Sequence, residues 1–246
     1  MPISQFELKF EKIDTLDTAL PVVVVAAGNS SRMKGRDKQE LLLLGLPVLA
    51  RTLKAFEQSP FISEIVVVTR AEKIEGVFEL AKKYGITKLT SAVMGGSCRE
   101  ESVKNGLSLL SSAHTKALVH DGARPLVSLD VISRVATSLK TEDCVVPGIK
   151  VKDTIKKVNS EGYAAKTLNR EELISVQTPQ GVDVEKFLKA TENVSLDTFT
   201  DDASVLESIG ARVKIVEGEQ KNIKITTPED VALAESYLRG ELDNEY

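Results

Sequence analysis

Short runs of β-branched and other apolar residues alternate along the chain with longer amphipathic stretches. The runs predict strands buried on both faces, and the longer stretches predict helices. Strands are predicted at residues 21–27, 64–69, 86–91, 116–120, 143–146 and 212–217. Helices are predicted at residues 48–57, 73–84, 99–110, 129–139, 201–209 and 227–239. This alternation indicates an α/β fold, with a mostly parallel sheet and helices on both of its faces.

Several residues mark the predicted helix ends. Gly85 is placed to end a helix at residue 84, and Ser128 to begin one at residue 129. Pro228 fits the first turn of the last helix, which Thr226 or Thr227 would cap.

The alternation breaks between residues 150 and 180. Extended polar segments flank the turn sequence Asn-Ser-Glu-Gly at 159–162, which predicts a β-hairpin arm at about 150–172. The arm has little to bury, and an isolated hairpin is marginal in water. We expect it to project from the core and to pack against a second subunit. The alternative is a solvated surface hairpin.

Composition narrows the class of protein. Of the 246 residues 42% are hydrophobic and the formal net charge is −4, so the chain can fill a core and a nucleic-acid groove is not expected. Two cysteines and two histidines make neither a disulfide framework nor a histidine-rich metal site. The apolar stretch 41–50 is too short to span a membrane, which needs ~20 residues. The charged first 20 residues do not resemble a secretory signal, so a cytoplasmic protein is expected.

Candidate chemistry follows the strands, because ligands bind beyond the carboxyl ends of an open parallel sheet. After the first strand comes Gly-Asn-Ser-Ser-Arg-Met at 28–33, whose small residues allow backbone N–H groups to approach an anion. Arg32 and Lys38 add positive charge, which suits a polyphosphate. An ordinary basic surface loop is the alternative.

Three further segments bring polar groups to the same edge. The segment that contains Gly96, Ser97 and Ser102 follows the third strand. It is either a ligand-binding loop or a plain turn before a helix. Asp121 follows the fourth strand, where a carboxylate beside phosphates suits Mg²⁺, although it fits a helix cap as well. Lys224 alternates with two isoleucines in a predicted apolar strand. It is either a phosphate ligand or a solvated lysine at the edge of the sheet.

The missing motifs bear on the reaction. The chain contains no GxSxG, HExxH or cysteine-nucleophile motif. A reaction without a protein nucleophile therefore fits, such as attack by a substrate phosphate on the α-phosphate of a nucleotide. The protein then supplies alignment and positive charge.

Taken together and in order, these segments resemble the 2-C-methyl-D-erythritol 4-phosphate cytidylyltransferases of the non-mevalonate isoprenoid pathway. The resemblance runs from about residue 21 to 238 and rests on the motifs AAGNSSRM, GGSCREESV, VHDGARP, VKDT, LNR, QTPQ, TDDAS and NIKITTPED. It implies a Rossmann-like (GT-A-like) nucleotidyltransferase domain over 21–246, after an N-terminal extension of residues 1–20. It also implies a homodimer that exchanges β-arms, CTP as substrate and Mg²⁺ or another divalent cation as cofactor.

The resemblance assigns roles by position. Asp121 would bind the metal. The catalytic residues would be Arg32, Lys38 and Lys224. The nucleotide would be bound by Ala26, Ala27, Gly28, Gly96, Ser97 and Ser102. The alcohol phosphate would be bound by Arg124, Thr178 and the arm residues Thr154 and Arg170, the arm residues acting in the neighbouring subunit's site.

The implied reaction transfers CMP from CTP to 2-C-methyl-D-erythritol 4-phosphate and releases pyrophosphate. The chain departs from the family pattern at Asp37, where proline is common, at Glu40, often aromatic, and at Ser30 and Ser97, where glycine and aspartate are frequent. A ribitol 5-phosphate cytidylyltransferase is the nearest alternative, and a sugar-nucleotide pyrophosphorylase a weaker one. A nucleotide-sensing module without catalysis is an alternative from another class.

Overall fold

The computed structural model describes residues 19–28, 37–192, 194 and 196–243. The strands are β1 Leu20–Val25, β2 Leu42–Leu43, β3 Leu46–Pro47, β4 Ile62–Thr69, β5 Leu89–Met94, β6 Lys116–Asp121, β7 Cys144–Lys150, β8 Lys156–Val158, β9 Ala164–Thr167, β10 Ile174–Val176, β11 Gln180–Asp183 and β12 Val213–Glu217. The helices are α1 Val48–Gln58, α2 Ile74–Tyr84, α3 Arg99–Leu107, α4 Leu129–Leu139, α5 Val184–Ala190, α6 Asp202–Glu207 and α7 Pro228–Asp243. None of these helices is long and apolar enough to cross a membrane.

One large sheet runs through the molecule in the order β10-β7-β11-β6-β1-β4-β5, and β12 pairs with β7. Strands β6, β1, β4 and β5 are parallel neighbours, as are β7 and β12, whereas β10 and β11 run antiparallel to their partners. The mostly parallel sheet predicted from the alternation is therefore confirmed, with one antiparallel element inserted.

Side chains of successive strand residues point to opposite faces of the sheet, and each face buries its own core. Val22 and Val24 face helices α1, α2 and α4, whereas Val23 faces α3, α5 and α6. A smaller cluster, which includes Ile225, packs α7 against the β2–β3 hairpin. Helices thus pack against both faces of the sheet, and ligands of such sheets bind beyond the carboxyl ends of the strands.

The antiparallel element is broken at Gln177–Thr178–Pro179. Val176 of β10 pairs with Gly148, whereas Gly181 of β11 pairs with Val145. Five steps along one strand therefore match three along the other, and the extra residues bulge from the ladder. The Thr178–Pro179 peptide is cis. The bulge turns Gln177 and Thr178 toward the end of β6, where Asp121 lies.

The predicted helix ends are found at α2 and α4. Gly85 adopts a left-handed conformation with φ of 69° after α2, and the hydroxyl of Ser128 accepts a hydrogen bond from the Val131 N–H at the start of α4. The α7 start differs in detail, since the Asp230 carboxylate accepts hydrogen bonds from the N–H groups of Thr226 and Thr227.

Two predicted strands are wrong in position or type. The strand expected at 86–91 begins only at Leu89, because Ile86 is buried against α2 and its N–H bonds the carbonyl of Ala81. The segment around Lys224 is irregular and belongs to no strand. It is held instead by the Ile225 N–H, which donates to the carbonyl of Ala123. The elements β2, β3, β10, β11 and α5 were not predicted.

The range predicted as an arm contains an exposed hairpin. Strands β8 and β9 pair antiparallel as a separate two-stranded sheet. Gly162 takes a φ of 86° in the turn between them. Val158 and Tyr163 expose 61% and 70% of their surface, so the hairpin offers apolar side chains to whatever packs on it.

Candidate active site

A cavity of about 340 Å³ opens at the carboxyl ends of β1, β5 and β6. Eight of the predicted site residues line it, namely Ala27, Gly28, Lys38, Gly96, Ser97, Ser102, Asp121 and Lys224. Ala26 lies behind the cavity, 5% exposed, and its N–H donates to the carbonyl of Val68. Arg32 lies outside the described residues.

The Gly95–Gly96 turn after β5 approaches its neighbours too closely for any side chain. A Cβ on Gly95 would lie 2.4 Å from the Cβ of Ala27, and one on Gly96 would lie 2.3 Å from the Cγ of Glu101. The hydroxyl of Ser102 accepts from the Gly96 N–H at 3.0 Å and donates to the carbonyl of Cys98 at 2.9 Å. Ser102 therefore holds the loop in shape.

Ser97 is held in the same way. Glu101 accepts hydrogen bonds from both the N–H and the hydroxyl of Ser97, at 2.7 and 2.6 Å. These bonds lower the pKa of Glu101. The Glu101 carboxylate therefore places a negative charge against Ser97, a residue that departs from the family pattern.

The turn that carries Lys38 contains two of the residues that depart from the family pattern, and both form ion pairs. Asp37 forms an ion pair with Arg70, and Glu40 forms one with Lys73. Asp37 also accepts a hydrogen bond from the N–H of Gln39 at 3.0 Å. These ion pairs link the turn to the segment that follows β4.

Asp121 is the electrostatic centre of the site. Its Oδ2 lies 2.9 Å from the Lys224 Nζ and 3.5 Å from the Arg124 Nε, and its Oδ1 lies 3.2 Å from the Arg99 Nε. Burial alone would raise the pKa of this carboxyl, but the Arg99, Lys224 and Arg124 charges hold it well below its usual range. Asp121 is therefore an anion that offsets part of a dense positive charge.

Arg99 connects Asp121 to a second carboxylate, which is fully buried. Its two terminal nitrogens lie 2.8 and 2.9 Å from the two carboxylate oxygens of Asp202, and Asp202 is 0% exposed. Burial alone would lower the pKa of Arg99, but Asp202 and Asp121 raise it above its ordinary value. The guanidinium is thus a permanent cation with three charge-assisted hydrogen bonds.

The buried His120 is linked to Asp121 through the hydroxyl of Thr178. His120 is 0% exposed, and burial lowers its pKa to about 3, so the ring is neutral. Its Nε2 lies 3.1 Å from the Arg124 carbonyl, which can only accept, so Nε2 carries the proton and Nδ1 accepts. The Thr178 hydroxyl therefore donates to Nδ1 at 2.9 Å and accepts from the Asp121 N–H at 3.1 Å.

A second cavity, of about 360 Å³, lies on the other side of this centre. It shares Arg99, Asp121 and Lys224 with the first cavity. The rest of its lining is Arg124, Val176, Gln177, Thr178, Gln180, Thr200 and Asp201. Two ligands placed in the two cavities would thus meet across one carboxylate and two cations.

Hydrogen bonds fix the Lys224 segment beside the strand bulge. The buried amide of Asn222 donates to the Thr178 carbonyl at 2.9 Å, and the Asn222 carbonyl accepts from Arg124 at 2.8 Å. Gln177 both donates to and accepts from the backbone of Glu219. Lys224 thereby reaches Asp121 from an irregular segment.

Comparisons with known proteins show the family of the chain. A model of the 2-C-methyl-D-erythritol 4-phosphate cytidylyltransferase (IspD) family matches residues 20–240. The chain belongs to this family. A cytidylyltransferase of Dehalococcoides mccartyi strain CBDB1 is 43% identical over 224 residues, covering 91% of this chain and 98% of the relative. One from Halalkalibacterium halodurans is 43% identical over 221 residues, covering 88% and 96%.

Solved structures of the family have the same fold as this chain. The 4-diphosphocytidyl-2C-methyl-D-erythritol synthase of Anaerococcus prevotii superposes with a TM-score of 0.81 at 30% identity, covering 92% of this chain and 98% of that one. The cytidylyltransferase of Thermus thermophilus gives 0.71 at 30% identity, covering 90% and 99%. The predicted family, the Rossmann-like nucleotidyltransferase fold and the cytidylyltransferase class of enzyme are confirmed.

Within one chain of this cytidylyltransferase, the predicted arm residues stay away from both cavities. Thr154 is exposed, and the Arg170 side chain is 53% exposed and donates to the carbonyl of Lys152 at 3.0 Å. Neither lines a cavity. Both residues are therefore available to a second chain.

The residues present fit a metal only together with a nucleotide. Among the described residues no group of three or more histidine, cysteine, aspartate or glutamate side chains could hold an ion. Asp121 is a single carboxylate in contact with three cations. Mg²⁺ commonly takes one or two carboxylates and completes its shell with phosphate oxygens and water. Asp121 can supply one such ligand if Lys224 moves from Oδ2 toward a phosphate.

Sequence reasoning missed Arg99, Asp202 and His120 in this cytidylyltransferase. One signal was available for Arg99, because a cation at the first position of a helix opposes the helix dipole. Such a local conflict points to a requirement elsewhere in the fold. Asp202 and His120 carried no comparable signal, since an acidic first turn and a histidine ending a strand are both ordinary.

Proposed function

We propose that the chain transfers CMP from CTP to 2-C-methyl-D-erythritol 4-phosphate and releases pyrophosphate. The family match and the relatives' names support this activity. The two cavities that share Arg99, Asp121 and Lys224 carry the proposal, because they bring two anionic substrates together at one place.

The reaction needs no protein nucleophile. An oxygen of the alcohol's phosphate, already anionic at neutral pH, attacks the α-phosphorus of CTP. The bond from that phosphorus to the bridging oxygen breaks in line, and pyrophosphate leaves with the electron pair. Positioning and positive charge are the protein's contribution to such a step.

The first cavity is assigned to CTP. Ala27, Gly28 and Gly96 present backbone at close range, which suits the nucleoside. Ser97 and Ser102 shape the loop that would read the base, and Ala26 supports it from below. Lys38 would stabilise charge on the α-phosphate, together with Arg32.

The second cavity is assigned to the alcohol phosphate. Arg124 lies on its wall with one nitrogen on Asn222 and another near Asp121, so it can bind a phosphate without moving far. The Thr178 hydroxyl donates its proton to His120 and therefore cannot donate it to the substrate. We assign Thr178 to holding Asp121 and Arg124 in position. Lys224 lies between the two substrates.

A divalent cation would be held by Asp121 and CTP phosphates, where it would neutralise triphosphate charge. The protein's part is to keep Asp121 ionised and to offer Lys224 to the phosphate. CTP affinity measured by calorimetry with and without Mg²⁺ tests this assignment. We expect Mg²⁺ to strengthen CTP binding in the wild type and to have little effect in Asp121→Asn.

The activity is tested by pyrophosphate release from a panel of nucleotides and alcohol phosphates. We expect release only with CTP and 2-C-methyl-D-erythritol 4-phosphate. Release with ribitol 5-phosphate instead would give the alternative activity, and CTP binding with no turnover on any alcohol would indicate a sensor. Lys38→Ala should lower the rate about 100-fold, whereas Lys214→Ala, at an exposed position on β12, is the matched control.

We further propose a homodimer in which Thr154 and Arg170 of one arm complete the partner's second cavity. The exposed Val158 and Tyr163 support an interface at the arm. Arg170→Ala and Lys38→Ala chains, each with little activity alone, should regain up to a quarter of the wild-type activity when mixed and refolded together, because one site in four is then intact. No regain would argue against a shared site.

The two free thiols, Cys98 and Cys144, are consistent with the expected cytoplasmic location.

A further inference from the structure

Asp202 is a buried carboxylate that touches neither cavity and yet is tied to the reacting centre. It is 0% exposed, and it is absent from the lining of both cavities. A buried charge costs several kcal/mol of desolvation unless it is well paired. Its partner is Arg99, whose remaining nitrogen contacts Asp121.

The geometry of Arg99 explains the arrangement. Both terminal nitrogens bind Asp202 as a fork, which fixes the plane of the guanidinium. The Nε edge then points to Oδ1 of Asp121 at 3.2 Å. Oδ2 stays in contact with Lys224, at 2.9 Å. Arg99 thus contacts Oδ1, whereas Lys224 and, at 3.5 Å, the Arg124 Nε contact Oδ2.

Removing the fork would change that division. A guanidinium released from Asp202 can turn two N–H groups toward Asp121 and bind both oxygens, since bidentate pairing is its preferred contact with a carboxylate. Asp121 would then be lost to Lys224 and to any ligand. Asp202 therefore limits Arg99 to one hydrogen bond with Asp121.

We propose that Arg99 and Asp202 are positioning residues, which hold the Asp121 carboxylate so that only Oδ1 is occupied by Arg99 and Oδ2 faces Lys224 and the substrates. The inference rests on the proposed cytidylyl transfer. It adds two residues, at the first positions of α3 and α6, whose effect on the reaction passes through Asp121.

Asp202→Asn tests the proposal, because the amide keeps the shape of the side chain and removes its charge. We expect kcat to fall about 10- to 100-fold, since a misplacement near 1 Å has this effect, with KM for CTP changed less than threefold. Asp183→Asn is the control, because Asp183 likewise pairs with a cation, Lys116 at 3.0 Å, and likewise lies at the start of a helix, α5, but at the far end of β11. It should keep the wild-type kcat.

A double-mutant cycle separates positioning from general stability. Arg99→Lys keeps the charge and loses the fork, so it should lower kcat as much as Asp202→Asn does. The double variant should be less than threefold slower than either single variant, because both remove the same device. Independent losses that multiply, a wild-type kcat in Arg99→Lys, or an equal loss in Asp183→Asn would each overturn the proposal.

The wild-type assay keeps this test distinct from that of the function. If wild-type protein released no pyrophosphate from CTP with any alcohol phosphate, the proposed function would fail first. If the wild type is active and Asp202→Asn does not fold, Arg99→Lys decides alone, since its cation remains at a side chain that is 23% exposed.

Discussion

The hydroxyl of Thr178 lies 2.9 Å from Nδ1 of the buried His120 and joins the bulge before β11 to the end of β6. The same hydroxyl accepts from the Asp121 N–H. One oxygen atom thus satisfies the imidazole and the backbone of the residue on which the site is centred.

Thr178→Val removes that hydroxyl with little change of shape. The His120 ring nitrogen and the Asp121 N–H are then buried without partners, so the free energy of unfolding should fall by about 2 kcal/mol. Urea unfolding monitored by circular dichroism measures it. Thr178→Ser keeps the hydroxyl and is the control. A valine variant more stable than the serine variant would contradict the network.

His120 predicts how stability depends on pH. Its folded pKa of about 3 lies below the ordinary value, so between about pH 6.5 and 3 the unfolded chain binds a proton that the folded chain does not. The contribution of neutral His120 to the free energy of unfolding is complete above pH 6.5. It is lost as the pH falls below that value, by about 1.4 kcal/mol per pH unit. Urea titrations between pH 5 and 7.5 measure the slope.

The His120→Gln variant should flatten the slope between pH 5 and 6.5 and should lower the free energy of unfolding above pH 6.5, where the neutral imidazole of the wild type contributes in full. Equal slopes in the wild type and in His120→Gln would show that His120 does not control this pH range.

Gly95→Ala should weaken CTP binding. The new methyl group would lie 2.4 Å from the Cβ of Ala27, so either β1 or the loop must shift where the nucleotide is proposed to bind. We expect KM for CTP to rise about tenfold, equivalent to ~1.4 kcal/mol of binding free energy. Gly76→Ala is the control, because its methyl meets open space within α2. That change should leave KM unaltered and raise stability by about 0.5–1 kcal/mol.

Lys224→Met should lower kcat about 100-fold, which is the usual effect of removing one group that stabilises charge in a transition state. The side chain is 39% exposed, so the fold should tolerate the change. Stopped assays of CMP transfer measure the rate, and Lys214→Met on β12 is the control. A rate within threefold of the wild type would remove Lys224 from the reacting centre.

The assembly of the first cavity could be predicted from the sequence because it follows from parallel strands. Gly28, Gly96 and Asp121 each come just after, or end, a buried run, and parallel strands bring these ends to one edge. Their convergence needed no knowledge of side-chain contacts. The alternation of strands and helices was sufficient.

The contacts among the charged groups could not be predicted in this way. Arg99 and Asp202 are each the first residue of a helix, and nothing local indicates that the two helices begin side by side. The same holds for Lys224, whose partner Asp121 lies far away in the sequence. Strand β10 and the following bulge were missed because three residues are too few to show a period of two.

The common wall of the two cavities has a consequence for inhibition. Arg99, Asp121 and Lys224 line both cavities. A weak ligand of one cavity, tethered by a short linker to a weak ligand of the other, would gain an effective concentration in the millimolar range for its second contact. Such a tethered pair would hold the chain in the arrangement of the reaction while carrying no bond that can be broken.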